Sequence, residues 1–313
     1  MDLGLIGAGR WGKVYIRTIE GLEPRLRLTH LATRRPENKA LVKGPVAVFS
    51  DWKQLIASDC DAVIIAAPAP LHAEMTRACL EARKPCIVEK PLCFDTATAE
   101  SLRQAAEKAA VPVLVNYIHL FNPAYRALKA AVAASGQPIR AIVSEGMDLG
   151  PFRPDTGTLW DRCPHDLALC LDLIGETAAP PAVRALGGCP DSQGRPEMVS
   201  IRLDWEGKGS AWIHAGRLSA KKKRALSVLT DSSLFYFDEL DTPRCRKIPF
   251  NYARRAEGGS APIHETGELI PVPARPTPME VMLTAFAENR FSFSLARTVE
   301  LTRILETCQA QLA

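Results

Sequence analysis

The chain opens with a short apolar run, Leu3-Gly4-Leu5-Ile6, that passes at once into Gly7-Ala8-Gly9-Arg10-Trp11-Gly12. A G-x-G-x-x-G set between a strand-like and a helix-like stretch constrains the fold more than any other feature here. Each glycine has a task that a side chain would spoil. Gly7 permits the tight turn out of the strand, Gly9 lets the backbone approach a pyrophosphate, and Gly12 lets the next helix pack closely on the sheet. The helix that starts near Arg10 directs free N–H groups and its positive dipole end at the phosphates. The stretch therefore predicts a dinucleotide site lined by Gly7, Gly9, Arg10, Trp11 and Gly12.

The sequence that follows alternates strand-like and helix-like segments as far as residue 118. Strands are expected at 3–6, 26–33, 46–50, 60–67, 84–88 and 111–117, with helices at 11–21, 71–83 and 95–110 and a helical turn from 51. The run Cys60-Asp61-Ala62-Val63-Ile64-Ile65-Ala66-Ala67 is apolar through its centre, as in a strand buried on both faces. This alternation predicts a parallel, doubly wound sheet whose ligand lies outside the C-terminal strand ends. Those ends are Gly7–Gly12, Thr33–Arg35, Ala67–Pro70, Glu89–Pro91 and Asn116–Tyr117. At the second of them a ribose-binding Asp or Glu is the usual signal for NAD. The chain instead reads Ala32-Thr33-Arg34-Arg35-Pro36. A hydroxyl beside guanidinium groups suits a 2′-phosphate, so Thr33, Arg34 and Arg35 predict NADP(H) in preference to NAD(H).

Beyond about residue 119 the pattern changes. An Ala-rich helix runs to 134, a strand covers 139–147, a Pro/Gly loop covers 150–157, and a helix is expected from Thr158 to Ile174. Strand-like stretches then follow at 182–187, 198–205, 209–215, 223–230 and 233–238, with closing helices at 279–288 and 294–310. Residues 243–278, rich in Pro, Gly and Arg, read as irregular. The expected class is α/β: a dinucleotide-binding Rossmann domain over 1–118, then an α+β substrate and oligomerisation domain over 119–313 with a large, mostly antiparallel open sheet. A net charge of only +4 calls for no nucleic acid, and no apolar run has the length of a membrane span. Nine cysteines, an odd number with no C-x-x-C pair and no secretion signal ahead of them, read as reduced thiols of a cytoplasmic protein. No zinc-ligand spacing occurs, so no metal is expected.

Two short stretches carry the candidate chemistry. Glu89-Lys90-Pro91 follows a buried strand at the ligand edge. Pro91 ends the strand, since it has no N–H to give. A partly desolvated Lys90 beside a cationic nicotinamide is expected to exchange a proton near neutral pH. The second stretch is Trp160-Asp161-Arg162-Cys163-Pro164-His165-Asp166. Asp161 and His165, four apart, share a face if the helix has begun by Asp161, and Pro164 fits only in a first turn. A carboxylate beside an imidazole can handle a proton, and a capping Asp with a packed His would use the same residues.

In order along the chain, Gly7–Gly12, Ala67-Pro68 with His72, Glu89-Lys90-Pro91 and Asp161 with His165 resemble the glucose–fructose oxidoreductase / inositol dehydrogenase (Gfo/Idh/MocA) family. The resemblance implies a Rossmann domain followed by an α/β domain on a large open sheet, and an oxidoreductase. It places Ala67, Pro68, His72 and Glu89 at the cofactor and makes Lys90, Asp161 and His165 the catalytic group, with the proton role open between Lys90 and His165. The form W-D-x-x-P-H-D, and the stretches 223–230 and 234–238, resemble members that act on sugars or nucleotide sugars. Only Gly157-Thr158-Leu159-Trp160 stands where the family often has a Gly-rich run. Asn116, Tyr117 and Arg153 are further candidates for the substrate, and Lys221-Lys222-Lys223-Arg224 is either a solvated strand start or an attractor of an anionic substrate. The implied assembly is a homodimer or homotetramer. The competing readings are a non-catalytic dinucleotide-binding sensor and a reductase of an imine or other non-sugar carbonyl compound.

Overall fold

The computed structural model describes residues 1–153, 156–241, 245–249 and 267–312. In chain order the elements are β1 (Asp2–Ile6), α1 (Arg10–Glu20), β2 (Arg27–Ala32), β3 (Ala47–Phe49), α2 (Trp52–Ile56), β4 (Ala62–Ile65), α3 (His72–Glu81), β5 (Cys86–Glu89), α4 (Thr96–Ala109) and β6 (Val113–Asn116). They continue with α5 (Pro123–Ala134), β7 (Ile139–Leu149), α6 (Thr158–Asp161), α7 (Cys163–Ile174), β8 (Ala182–Pro190), β9 (Pro196–Trp205), β10 (Gly209–Gly216), β11 (Leu218–Thr230), β12 (Ser233–Asp238), β13 (Cys245–Pro249), β14 (Glu268–Leu269), α8 (Pro278–Ala287) and α9 (Leu295–Leu312). The chain forms two compact units. One is 1–118 with 278–303, and the other is 119–277 with 304–313. Segment 278–303, which lies after the 118/119 boundary in the sequence, thus belongs to the first unit.

The first unit holds a six-stranded sheet of order β3-β2-β1-β4-β5-β6, with every pair parallel. The order reverses between β1 and β4, which makes their C-terminal ends the switch point where a crevice opens. All four residues of β4 are buried, as expected for a central strand covered on both faces. Helix α1 is amphipathic and buries Tyr15, Ile16 and Ile19. Helix α8 packs against α1.

The second unit holds an eight-stranded sheet of order β14-β13-β12-β11-β7-β10-β9-β8. Only β7 and β10 pair in parallel; the other pairs are antiparallel. Burial alternates along β9, where Val199, Ile201, Leu203 and Trp205 face inward, the period of a strand with one covered face. Helix α7 covers β7 and β10, and α5 covers β12. On the sheet, Met147, Leu186, Met198, Val199, His214 and Ala215 line a cavity of about 370 Å³.

Two expectations need correcting. Residues 243–278 are not irregular throughout: β13 extends the sheet through its ladder with β12, and it buries Cys245 and Ile248. Backbone pairing at a sheet edge outweighs composition there, while residues 250–266 lie outside the described ones. The helix expected over 158–174 is also two helices that break at Arg162. Pro164 cannot donate to the carbonyl of Trp160 and its ring collides there, which disfavours a continuous helix, and the chain breaks within the turn before it. Among the described residues no helix is long and apolar enough to cross a membrane.

Candidate active site

The cofactor edge of the first unit is built from backbone. Gly7 has φ +97°, and a Cβ on it would sit 2.5 Å from the Ala66 carbonyl oxygen. A Cβ on Gly12 would sit 2.1 Å from the Gly7 carbonyl oxygen, so α1 approaches the turn as closely as only glycine allows. Gly9 differs: a Cβ there would meet no atom within 4 Å, and no side chain caps α1 behind it. Open space before uncapped, aligned N–H groups is the cradle a pyrophosphate needs, so these residues fit a dinucleotide. Arg10 is exposed and Trp11 half-buried beside it. At the end of β2 the Thr33 hydroxyl oxygen accepts from the Arg35 N–H at 3.2 Å and from Asn38 Nδ2 at 2.9 Å, and Arg34 and Arg35 are exposed. Asn38 carries no motif and was not anticipated.

Around Lys90 the structure shows a framework beneath the surface. Glu89 is buried, and its Oε1 accepts from the Tyr15 hydroxyl at 3.0 Å and from Asn116 Nδ2 at 2.8 Å. Burial pushes the Glu89 carboxyl above its ordinary value, against the lowering effect of the Asn116 and Tyr15 hydrogen bonds. Asn116, 1% exposed, also donates to the Tyr15 hydroxyl at 2.8 Å. The sequence placed Glu89 at the cofactor and Asn116 at the substrate. The Asn116 Nδ2 group and Glu89 Oε1 are bonded to each other beneath the edge, because a buried carboxylate needs donors, and Asn116 Oδ1 is left without a hydrogen-bond partner. Tyr117 is likewise buried, its ring edge-on to Phe293 at 5.3 Å, where hydrophobic packing claims it. Lys90 is half-buried. His72 is 1% exposed and both its ring nitrogens face main-chain carbonyls, Nδ1 that of Pro91 at 2.7 Å and Nε2 that of Ala67 at 2.8 Å. It shapes the loops at the edge, with no ring nitrogen left for a cofactor. Pro68 is exposed and Ala67 half-buried.

The second unit brings Asp161 and His165 into a charged cluster. Asp161 ends α6, and its Oδ2 lies 3.0 Å from Nη2 of Arg217, a residue with no exposure at all. The same Nη2 donates to the Thr156 carbonyl at 2.8 Å, and Nη1 lies 3.6 Å from Glu197, whose Oε2 accepts from the Thr158 hydroxyl at 2.9 Å. Arg153 approaches Asp161 Oδ1 at 3.7 Å. His165 is buried near the start of α7, with its ring edge-on to that of His119 at 4.9 Å, and His119 Nδ1 lies 3.8 Å from Glu239. Asp166, fully buried, accepts from the Ser144 hydroxyl at 2.7 Å and from Arg224 at 2.9 Å. The basic run is thus split. Lys221 and Lys222 are exposed, Lys223 pairs with Glu145 at 2.7 Å, and Arg224 turns inward. Strand periodicity through 223–228 could have revealed that split. Arg217 and Glu197 carried no sequence signal. All nine cysteines are free thiols, and among the described residues no group of His, Cys, Asp and Glu could hold a metal.

Residues 1–117 match the model of an oxidoreductase family with an NAD-binding Rossmann fold, GFO_IDH_MocA. A solved structure of a putative oxidoreductase from Magnetospirillum magnetotacticum MS-1 is 34% identical, superposes with a TM-score of 0.87, and covers 98% of this chain and 99% of its own. An inositol 2-dehydrogenase from Mycolicibacterium smegmatis is 30% identical over 64% of this chain and 58% of its own length. A UDP-N-acetylglucosamine 3-dehydrogenase from Acidithiobacillus ferrooxidans is 30% identical over 60% of this chain and 58% of its own length. The chain therefore spans little more than half the length of these two curated relatives.

Proposed function

The chain belongs to the Gfo/Idh/MocA oxidoreductase family, and from that premise we propose that it is an NADP(H)-dependent dehydrogenase or reductase of a sugar-like alcohol. The observation that carries the reading is one sheet edge. An uncapped helix end opens behind Gly9, and Lys90 stands at the end of β5 on the same edge. The first unit holds the dinucleotide, with Gly7, Gly9 and Gly12 at the pyrophosphate. Exposed Arg34 and Arg35, with no carboxylate at the end of β2, favour the 2′-phosphate. The second unit holds the substrate.

A bound nicotinamide supplies the hydride acceptor or donor. The chain's own residues handle the rest. Lys90 takes or returns the proton at the substrate hydroxyl oxygen, a role His165 shares. Asp161, with the Arg217 and Arg153 guanidiniums 3.0 and 3.7 Å from its carboxylate oxygens, serves as a hydrogen-bond acceptor. It orients a substrate hydroxyl and leaves proton transfer to its neighbours. The names of the relatives, an inositol and a nucleotide-sugar dehydrogenase, support a polyol or sugar substrate. A second copy of the chain covers the open face of the large sheet, where Leu186 is 75% exposed beside the cavity. Nine free thiols, eight of them buried, support a reducing, cytoplasmic location.

Fluorescence titration with NADPH and NADH tests the cofactor, and tighter NADPH binding is expected. Turnover is then screened with myo-inositol and UDP-N-acetylglucosamine. Lys90→Ala should lower kcat by about 10²- to 10⁴-fold while the cofactor Kd stays within about twofold. Wild-type turnover in that variant would remove Lys90 from the mechanism.

A further inference from the structure

His72 has an arrangement that a neutral imidazole cannot satisfy. A neutral ring has one N–H donor and one lone-pair acceptor. Here two carbonyl oxygens, of Pro91 and Ala67, face the two ring nitrogens at 2.7 and 2.8 Å. Both are acceptors, so both nitrogens must carry hydrogen, and only the imidazolium does so. In the neutral ring a lone pair would face a carbonyl oxygen at contact distance. The two carbonyls belong to separate loops of the ligand edge. Ala67 follows β4, next to the Ala66 carbonyl that crowds Gly7; Pro91 follows Lys90.

We propose that His72 is a positioning residue that ties these two loops together as an imidazolium, so that its protonation and occupancy of the dinucleotide site favour each other. The inference rests on the dinucleotide reading above. The forces on the ring oppose one another. Burial favours its neutral form and pulls its pKa below the ordinary value, the Pro91 and Ala67 carbonyls and the Glu89 main chain act the other way, and the charge of Lys90 adds to the lowering. The other charged group at hand is Glu89, next to Lys90 and buried on its network with Tyr15 and Asn116. A group so balanced is sensitive to whether the loops stay in place. A ligand that holds Ala67 and Pro91 where they are raises the proton affinity of His72. Reciprocally, a proton on His72 tightens the site. The sign follows: affinity is full below the free-state pKa and is lost as pH rises through the bound-state pKa.

The test is the Kd for NADH, by fluorescence, between about pH 5.5 and 8.5 in wild type and His72→Gln. NADH is the probe because the 2′-phosphate of NADPH titrates near pH 6 itself. The wild-type Kd should weaken by roughly three- to tenfold between about pH 6 and 8. Glutamine keeps a donor and cannot titrate, so the variant should be weaker at pH 6 and lose that slope. A purely structural His72 would weaken binding equally at every pH. Imidazole ¹⁵N spectra of histidine-labelled wild type give an independent readout, since the chain has only six histidines. With NADH bound at pH 6, His72 should show two N–H nitrogens. A flat wild-type profile, the same slope in the variant, or one bare nitrogen in the complex overturns the proposal and leaves the dinucleotide site standing. Absence of binding at every pH, by NADH and NADPH alike, would instead overturn the cofactor reading and this proposal with it.

Discussion

The ligand edge of the first unit and the charged cluster of the second are built in opposite ways. At Gly7, Gly9 and Gly12 the working atoms are main-chain N–H groups, and the sequence shows only the absence of side chains. Around Asp161 the working atoms are side-chain charges, held in place by Arg217 and Glu197 from elsewhere in the chain and by Thr158 of the same helix, which bonds Glu197. The first kind of site has no room for a side chain at Gly7 and Gly12 and meets its ligand with main-chain groups. The second tolerates changes of volume but depends on every charge keeping its partner. The two should therefore fail differently, one in ligand affinity with the fold intact, the other in stability first.

The largest effect is expected in the second unit. Arg217→Met keeps much of the side-chain volume and removes a fully buried guanidinium that contacts Asp161, Glu197 and the Thr156 carbonyl. Breaking a buried ion pair from one side costs about 3–5 kcal/mol, because the abandoned charges stay buried. Chemical denaturation followed by tryptophan fluorescence should show a loss of that size. A loss below about 1 kcal/mol, the range of an exposed pair, would mean that Asp161 and Glu197 are stabilised without Arg217. A smaller and purely functional effect is expected from Gly9→Ala. The added methyl meets nothing in the protein. Stability should therefore change by no more than the usual few tenths of a kcal/mol, while dinucleotide affinity falls by about tenfold or more, as backbone approach to the pyrophosphate is blocked. Equal binding by the variant would show that no ligand comes close to Gly9.

This contrast also explains what was legible in the sequence. The order of strands and helices up to 118 was readable because buried parallel strands such as Ala62–Ile65 are continuous apolar runs, and the glycine spacing marks the turn between β1 and α1. Lys90, Asp161 and His165 stood out as motif residues. The groups that hold them did not. Tyr15 reads as one more apolar position on α1, yet it donates to Glu89. Arg217 is the residue between β10 and β11, with nothing local to say that it is buried. Arg224 was hidden in a basic run because three lysines precede it. The alternation of a strand separates Arg224, bonded to Asp166, from Lys223, paired with Glu145, and a register shift between Leu218 and Lys223 takes the exposed Lys221 and Lys222 out of that alternation. Partners in a charge cluster come from strands far apart in the chain, and no local spacing encodes them. His72 shows the reverse case: a motif singles it out in the sequence, and the structure sets its two ring nitrogens against the Pro91 and Ala67 carbonyls, which no motif announces.

The smallest effect sharpens the comparison, because Glu89 is a carboxylate of the first unit's edge that is treated like the second unit's charges, buried and bonded, with burial outweighing the charge of neighbouring Lys90. Its donors are a phenol and an amide. Desolvation therefore dominates and raises its folded-state pKa above the ordinary carboxylate value. The native chain then holds a proton that the unfolded chain has released. Between the ordinary value and the raised one, the native state binds more protons, so stability is full on the acid side and declines as pH rises through that window. Glu89→Gln cannot ionise, and its amide oxygen can still accept from Tyr15 and Asn116. The variant should lose this slope, with a stability difference from wild type that grows in its favour from about pH 4 toward neutrality. Urea denaturation at intervals across that range measures it. Were the difference to run the other way, with Gln increasingly worse as pH rises, Glu89 would be a carboxylate that the fold favours in its charged form. The Lys90 ammonium would then be its partner in energetic fact, and the first unit's edge would depend on paired charge just as the Asp161 cluster does.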